Sequence, residues 1–130
     1  MIYLDSSALM KMVREEAETE ALRDWLGSQP EEPVVTSELG RVELLRAARR
    51  AGAEALIEAH ALIGDMDLVP LDRGVQDLAC EIGDPPLRSL DAFHLASAVL
   101  LGGDLTALVA YDDGLVAAAR AVGLATVAPT

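Results

Sequence analysis

The 130-residue sequence is poor in aromatic residues, has one cysteine and has no long uninterrupted apolar segment. Aromatic residues make up 3% and apolar residues 52% of it, so a folded core must consist mainly of Leu, Val, Ala and Met. The lone Cys80 excludes an intrachain disulfide, and its place in "VQDLACEI" predicts a buried helix position. Without a membrane-length segment or a signal peptide, we expect one cytoplasmic domain over residues 1–130.

Positive charge is also scarce, because 10 Lys and Arg face 22 Asp and Glu and the net charge is −12. Nucleic-acid binding rests on cations that meet phosphates, so such a function would need metal ions or a local cluster of basic residues. Four basic residues fall in one predicted helix: Arg41, Arg46, Arg49 and Arg50. The simplest interpretation is a solvated face with salt bridges to Glu38, Glu43 and Glu54.

Short apolar runs alternate with helical periodicity along the whole chain. Strands are predicted at residues 1–5, 34–37, 67–72, 106–112 and 124–129. Helices are predicted at residues 7–14, 18–27, 38–51, 53–64, 73–83, 90–101 and 114–122, with Ser37 and Ser89 as N-caps. This alternation predicts an α/β fold with a mainly parallel sheet, helices on both faces and right-handed crossovers.

Four acidic residues stand where these elements meet their turns: Asp5, Glu43, Asp91 and Asp112. Ligands of open α/β sheets collect at the carboxyl ends of strands, where the strand order reverses. Carboxylates that converge there repel one another unless their pKa values rise or a cation binds. Oxygen ligands suit Mg²⁺ or Mn²⁺, so the four acids are a candidate metal site.

Each acid also has a purely structural interpretation. Asp5 can be an N-cap, and Glu43 can pair with Arg46. Asp91 can interact favourably with the positive, N-terminal end of its helix dipole. Asp112 can be a turn residue, with Asp113 as the cap of the next helix or as an outer acid. Ser6 and Ser7 suit caps or hydroxyls that support the site, because no histidine lies nearby in sequence to activate them. His94 suits the core or a supporting position better than direct metal ligation.

Taken together, "MIYLDSSALMKMV", "TSELGRVELLRA", "RSLDAFHLASAVL" and "LVAYDDGLVAAA" resemble a PIN domain. More narrowly, they resemble the VapC-type toxins of bacterial toxin–antitoxin operons, over nearly the whole chain. The most specific segments are "LDAFHLASA" and "YLDSSAL".

The resemblance implies a PIN-like three-layer sandwich and a Mg²⁺- or Mn²⁺-dependent endoribonuclease. It places the catalytic acids at Asp5, Glu43, Asp91 and Asp112, with Asp5, Asp91 and Asp112 as metal ligands. Ser7, Asp113 and Arg46 are expected to support that site. The resemblance also implies a homodimer and a cognate antitoxin whose C-terminal segment occludes the site.

Two positions depart from the family pattern. Ala110 stands two residues before the fourth acid, where Thr or Ser is frequent, so one hydroxyl is missing. "DSS" replaces the common "DTS" and keeps both hydroxyls.

Two other functions remain open at the level of the sequence. An aspartyl-phosphate phosphotransferase would use Asp5 as nucleophile, but it usually has an acid where Ser7 stands and a lysine near the late strands, whereas Lys11 is the only lysine. A non-enzymatic, receiver-like or partner-binding domain would use the acids only as caps and surface charge.

The first two predicted helices carry more apolar residues than two half-solvated helices need. Ordinary core packing accounts for many of them. We also expect Met12, Trp25 or Leu26 to line a groove for an antitoxin helix.

Overall fold

The computed structural model describes all 130 residues as alternating strands and helices. The strands are β1 (Ile2–Leu4), β2 (Val34–Ser37), β3 (Asp67–Val69), β4 (Ala107–Val109) and β5 (Thr126–Val127). The helices are α1 (Ser6–Val13), α2 (Thr19–Gly27), α3 (Glu38–Ala51), α4 (Ala53–Gly64), α5 (Arg73–Ala79), α6 (Ser89–Leu100) and α7 (Asp113–Ala121). None of the helices combines the length and the apolar character needed to cross a membrane.

All strand pairs are parallel, and the strand order is β3-β2-β1-β4-β5. Ile2 on the central strand pairs with Val34 on one side and with Ala107 on the other. The chain therefore builds outward from β1 in one direction and later returns to add β4 on its other side. This reversal between β1 and β4 is the place where open α/β sheets bind ligands. The predicted fold class is confirmed.

The side chains of β1 alternate between the two faces of the sheet and so divide the core in two. Ile2 and Leu4 pack into one buried cluster with residues of α1, α2, α3 and α4. Tyr3 packs into the other with residues of α6 and α7. All three side chains are fully buried, which fits a central strand covered on both faces.

Two predictions about helix ends are settled by the caps. Ser37 caps α3, because its hydroxyl accepts a hydrogen bond from the Gly40 N–H at 3.0 Å. The prediction that Ser89 caps α6 is wrong, because the helix already begins at that residue and Arg88 holds the cap position without a side-chain hydrogen bond.

The prediction that Cys80 is buried is also wrong, because this residue is exposed at the end of α5. Val75 is the buried residue of that helix. Five residues later, the helix has turned to a direction roughly 140° away at its 3.6 residues per turn. Cys80 therefore faces away from the core.

Candidate active site

The four predicted acids line one cleft at the carboxyl edge of the sheet. The cleft has a volume of about 790 Å³. Its acidic and basic lining residues are Asp5, Glu43, Asp91, Asp112, Arg46, Arg50 and Arg88. The placement of these acids therefore agrees with the prediction that they converge. Three arginines, which can pair with the acids, line the same cleft.

Asp5 is placed by the end of β1 and is only 3% exposed. Its Oδ1 accepts hydrogen bonds from the Ala8 N–H at 2.9 Å and from the Ser7 hydroxyl at 2.6 Å. The Ser7 hydroxyl in turn accepts a hydrogen bond from the Tyr111 N–H at 3.0 Å. Asp5 is thus the N-cap of α1 and a member of the cleft at once. Ser7 ties it to the segment that follows β4.

Burial raises the pKa of the Asp5 carboxyl, and the negative charge of Asp112 adds to the rise. Hydrogen bonds from Ser7 and Ala8 act in the opposite direction, but the pKa remains above its ordinary value. Asp5 makes no salt bridge with any basic residue of the chain. The ionised form of this buried carboxylate therefore lacks a cation of its own.

Asp91 and Asp112 share the guanidinium of Arg88. The Arg88 Nε lies 3.1 Å from Asp91 Oδ2, and its Nη2 lies 2.7 Å from Asp112 Oδ2. Arg88 is 73% exposed in its side chain, so this pairing is accessible to solvent and to competing cations. The remaining Asp112 oxygen, Oδ1, caps α7 by accepting from the Leu115 N–H at 2.9 Å. The suggestion that Asp113 caps this helix is therefore wrong.

The donor set of the cleft consists of carboxylate oxygens, which are the ligands that Mg²⁺ and Mn²⁺ prefer. In the present side-chain arrangement, no three His, Cys, Asp or Glu residues form a ready metal-binding group. Arg88 holds Asp91 and Asp112 instead. Asp5, Asp91 and Asp112 are the residues that could hold a divalent ion, and the unpaired, buried Asp5 carboxylate fits this chemistry.

Glu43 has a different partner from the one expected. Its Oε1 lies 2.6 Å from the Nε2 of His94, and no salt bridge forms with Arg46. His94 is 1% exposed and also contacts the Tyr3 hydroxyl through Nδ1, at 2.8 Å. The prediction that His94 belongs to the core or supports the site agrees with this position. Tyr3 was missed because nothing local in the sequence connects it with a residue 91 positions away.

The expected salt bridges of the α3 arginines are absent. Arg46, Arg49 and Arg50 are exposed, line adjoining clefts and pair with no acid. Glu43 is turned towards His94, and Gly52 adopts a φ of 131°, which ends α3 before Glu54. The helical spacing that would have joined Arg50 to Glu54 is thereby lost.

The single lysine lies outside the acidic cleft. Lys11 Nζ is 2.7 Å from Glu16 and 2.8 Å from Glu18, and it stands 4.5 Å from the centre of the Tyr111 ring. An aspartyl-phosphate phosphotransferase would need this amine beside the phosphorylated acid. The placement of Lys11 therefore disfavours that alternative.

The three residues predicted to contact an antitoxin helix are partly buried. Met12, Trp25 and Leu26 all pack against the core cluster that contains Ile2 and Leu4. Each keeps some exposed surface, so they combine core packing with access from outside. Their role in partner binding stays a prediction.

A family model described as the PIN domain matches residues 2–121. The chain belongs to the PIN-domain family. Within it the chain is of the VapC type. It is 45% identical over 131 residues to "Ribonuclease VapC35" of Mycobacterium tuberculosis H37Rv, covering 99% of this chain and 97% of that protein. It is 46% identical over 132 residues to "Ribonuclease VapC47" of Mycobacterium tuberculosis CDC 1551, with the same coverage of both chains.

Solved structures show the same PIN fold at low sequence identity. Mycobacterium tuberculosis VapC20, described as a "Sarcin-Ricin loop cleaving toxin", superposes with a TM-score of 0.76 at 20% identity, covering 99% of this chain and 100% of that one. VapBC2 from Rickettsia felis, bound to a DNA fragment from its promoter, gives a TM-score of 0.74 at 12% identity and covers both chains completely. At these identities the likeness supports the fold alone.

Proposed function

We propose that this protein is a metal-dependent endoribonuclease toxin that a cognate antitoxin holds inactive. The observation that carries the proposal is the convergence of Asp5, Glu43, Asp91 and Asp112 in one cleft of a VapC-type PIN domain. Curated relatives of nearly equal length and 45–46% identity bear the name ribonuclease. RNA is the substrate, and the protein acts as a homodimer.

In this proposal Asp5, Asp91 and Asp112 hold Mg²⁺ or Mn²⁺. When bound, such an ion offsets negative charge on the phosphate and lowers the pKa of a coordinated water. The chain's own contribution is to fix the acids. Ser7 and the α1 N-terminus hold Asp5 in place, and the α7 N-terminus holds Asp112. Arg88 supplies positive charge to Asp91 and Asp112 until another cation replaces it.

RNA binding by a chain of net charge −12 requires positive charge close to the acids. Arg46 and Arg50 line the same cleft as the acids, and Arg49 extends the basic surface alongside it. Because these three arginines have no acidic partners, their guanidinium groups are free to meet phosphate oxygens. They provide a path for the RNA backbone that leads to the acids.

The direct test is the cleavage of a circular single-stranded RNA, which has no ends for an exonuclease. The purified protein should linearise it in the presence of Mg²⁺ or Mn²⁺, and excess chelator or the purified cognate antitoxin should stop the reaction. An intact circle at every metal concentration would contradict the proposal for that RNA, so a set of structured cellular RNAs belongs in the same assay. Failure on all of them would contradict it altogether.

Adding Mg²⁺ or Mn²⁺ should raise the melting temperature of the wild type. A ligand that binds only the folded state stabilises it by about 2.7 kcal/mol at 100 times its Kd. The shift should shrink in Asp5→Asn and grow in Arg88→Gln, where no guanidinium competes for Asp91 and Asp112. Differential scanning calorimetry measures all three. The control is Asp77→Asn, which removes one negative charge, as Asp5→Asn does, but at an exposed position on α5. Equal shifts in every variant would mean that the ions only screen the net charge.

Trp25→Ala should weaken antitoxin binding more than it lowers nuclease activity. Trp25 is partly buried on α2, and truncation removes contact area that an antitoxin helix would cover. Titration calorimetry with the antitoxin, together with the circular-RNA assay, separates the two effects. Unchanged affinity would place the antitoxin groove elsewhere, and a collapsed melting transition would assign Trp25 to the core alone.

A further inference from the structure

Three side chains linked by hydrogen bonds form a chain of hydrogen bonds from the buried core to the active-site cleft. Tyr3 lies on β1 and is fully buried, His94 lies on α6 and is 1% exposed, and Glu43 lies on α3 at the cleft. The Tyr3 hydroxyl is 2.8 Å from His94 Nδ1, and His94 Nε2 is 2.6 Å from Glu43 Oε1. Each residue belongs to a different element. The chain of hydrogen bonds therefore joins the two helical layers at the edge of the sheet.

The order of donors along these hydrogen bonds follows from the Glu43 carboxylate, which can only accept. The Nε2 of His94, 2.6 Å from Glu43 Oε1, is therefore the donor. In an imidazole that carries its one N–H at Nε2, the other nitrogen, Nδ1, accepts, and the Tyr3 hydroxyl 2.8 Å away is the group that donates to it. This arrangement selects one histidine tautomer and gives Glu43 a fixed donor.

The close approach of α3 to His94 depends on a glycine. A Cβ on Gly40 would collide with the Thr36 hydroxyl and would lie 3.5 Å from His94 Cε1. The Thr36 hydroxyl cannot easily move aside, because it donates to the Leu4 carbonyl at 2.7 Å. Glu43 follows Gly40 by three residues and lies on nearly the same face of α3. The absence of a side chain at Gly40 thus brings Glu43 within reach of His94.

We propose that Tyr3 and His94 are positioning residues that fix the orientation of the Glu43 carboxylate in the cleft. The hydrogen bond from His94 engages Oε1 and leaves Oε2 for the cleft. Glu43 therefore differs from Asp91 and Asp112, whose partner Arg88 is exposed and exchangeable. The catalytic consequence of this positioning rests on the proposed nuclease function. The hydrogen bonds from Tyr3 through His94 to Glu43 do not depend on that function.

The chain of hydrogen bonds can be tested without any activity measurement. The protein has two histidines, and exposed His60 serves as an internal reference. Long-range ¹H–¹⁵N NMR spectra of the metal-free protein should show His94 with a protonated Nε2 and an acceptor Nδ1. In Tyr3→Phe the Nδ1 resonance should move towards the value of a nitrogen without a hydrogen bond. A His94 ring with the averaged shifts of His60, or one that is unchanged in Tyr3→Phe, would overturn the proposal.

The positioning role is tested by kinetics in two backgrounds. Tyr3→Phe removes one hydroxyl and should lower kcat about 10-fold with KM unchanged, the lower end for residues that support a reacting group. In Glu43→Gln the same change should have no further effect, because its action passes through Glu43. Thr19→Val, which removes another buried hydroxyl away from the cleft, is the control. Equal losses in both backgrounds would overturn the positioning role.

Substitutions of the histidine add a rescue test. His94→Gln keeps an N–H that can donate to Glu43, so it should retain more activity than His94→Leu, which donates nothing. His60→Gln controls for the exchange itself. Equal activity of the Gln and Leu variants, with both melting as cooperatively as the wild type, would overturn the proposal. If the wild type cleaved no RNA, only the proposed nuclease function would be contradicted. The NMR spectra would still test whether the hydrogen bonds from Tyr3 through His94 to Glu43 exist.

Discussion

Asp5→Asn, Asp91→Asn and Asp112→Asn should each abolish metal-dependent RNA cleavage while leaving the fold intact. Each change removes a negative charge from the proposed metal-binding set, so the loss should exceed the roughly 100-fold that marks residues which only support a ligand. The folds should survive because Asn caps helices about as well as Asp, and two of these acids are caps. Single-turnover cleavage assays and thermal melts of the same preparations test both parts.

A comparison of Asn with Ala separates the two roles of Asp5. Asp5→Ala should lose the cap of α1 as well, at a cost of about 1 kcal/mol in the free energy of unfolding. If Asp5→Asn retained full activity and only the Ala variant failed, Asp5 would be a structural cap and not a site residue. Similarly, Asp113→Asn should reduce cleavage less than Asp112→Asn. The reverse order would move the fourth acid by one position.

Metal-free Asp5→Asn should also melt at or above the wild type at neutral pH. The folded state raises the pKa of Asp5 above its ordinary value of 3.8, so the folded protein holds this proton more tightly than the unfolded chain does. The resulting stabilisation is complete below the unfolded pKa and is lost as the pH rises through the raised folded pKa. The advantage of the Asn variant should therefore appear only above that range. A variant that is less stable at neutral pH would contradict the burial cost.

Arg46→Glu/Arg50→Glu should nearly eliminate RNA binding at moderate salt while preserving the acids. The change replaces two cleft cations with two anions, and each lost phosphate contact should reduce the slope of log affinity against log salt by about 1. We expect KM to rise by about 100-fold, with kcat changed much less. Filter binding with a metal-free, cleavage-inactive Asp112→Asn background gives the affinity directly.

The matched control for this reversal lies partly on the same helix. Arg41→Glu/Arg73→Glu changes the net charge by the same amount, and neither residue lines the cleft or forms a salt bridge. If both double variants lost RNA binding equally, the total charge of the molecule would be responsible. The proposed backbone path along Arg46, Arg49 and Arg50 would then be wrong.

The fold class and the convergence of the acids could be predicted from the sequence, because the strand and helix periods are local signals and the sheet topology follows from their alternation. Alternating apolar and helical periods predicted the parallel sheet, in which Asp5 directly follows β1 and Asp112 lies three residues beyond the end of β4. The carboxyl ends of parallel strands share one edge, so their convergence followed from topology. The assignment of these residues as catalytic stays a prediction, as does the single domain over residues 1–130.

The partners of the polar side chains were not encoded locally. Arg88 reaches Asp112 across 24 positions, and His94 reaches Glu43 across 51. Helical spacing instead suggested pairs such as Glu43 with Arg46, which are worth only about 0.2–0.5 kcal/mol on an isolated helix. A hydrogen bond to a buried histidine outweighs such a pair, because an unsatisfied buried group costs about 1–3 kcal/mol. Tertiary packing therefore overrode the local preference.

The unpaired arginines of α3 have a kinetic consequence in a molecule of net charge −12. Viewed from a distance, the protein repels a polyanion, and only within the last few ångströms does RNA meet the local attraction of Arg46, Arg49 and Arg50. Added salt screens the distant repulsion first, since the Debye length falls to about 10 Å at 0.1 M. Modest ionic strength should therefore accelerate the encounter with RNA even as it loosens the bound complex, which gives the reaction an optimum salt concentration instead of a steady decline.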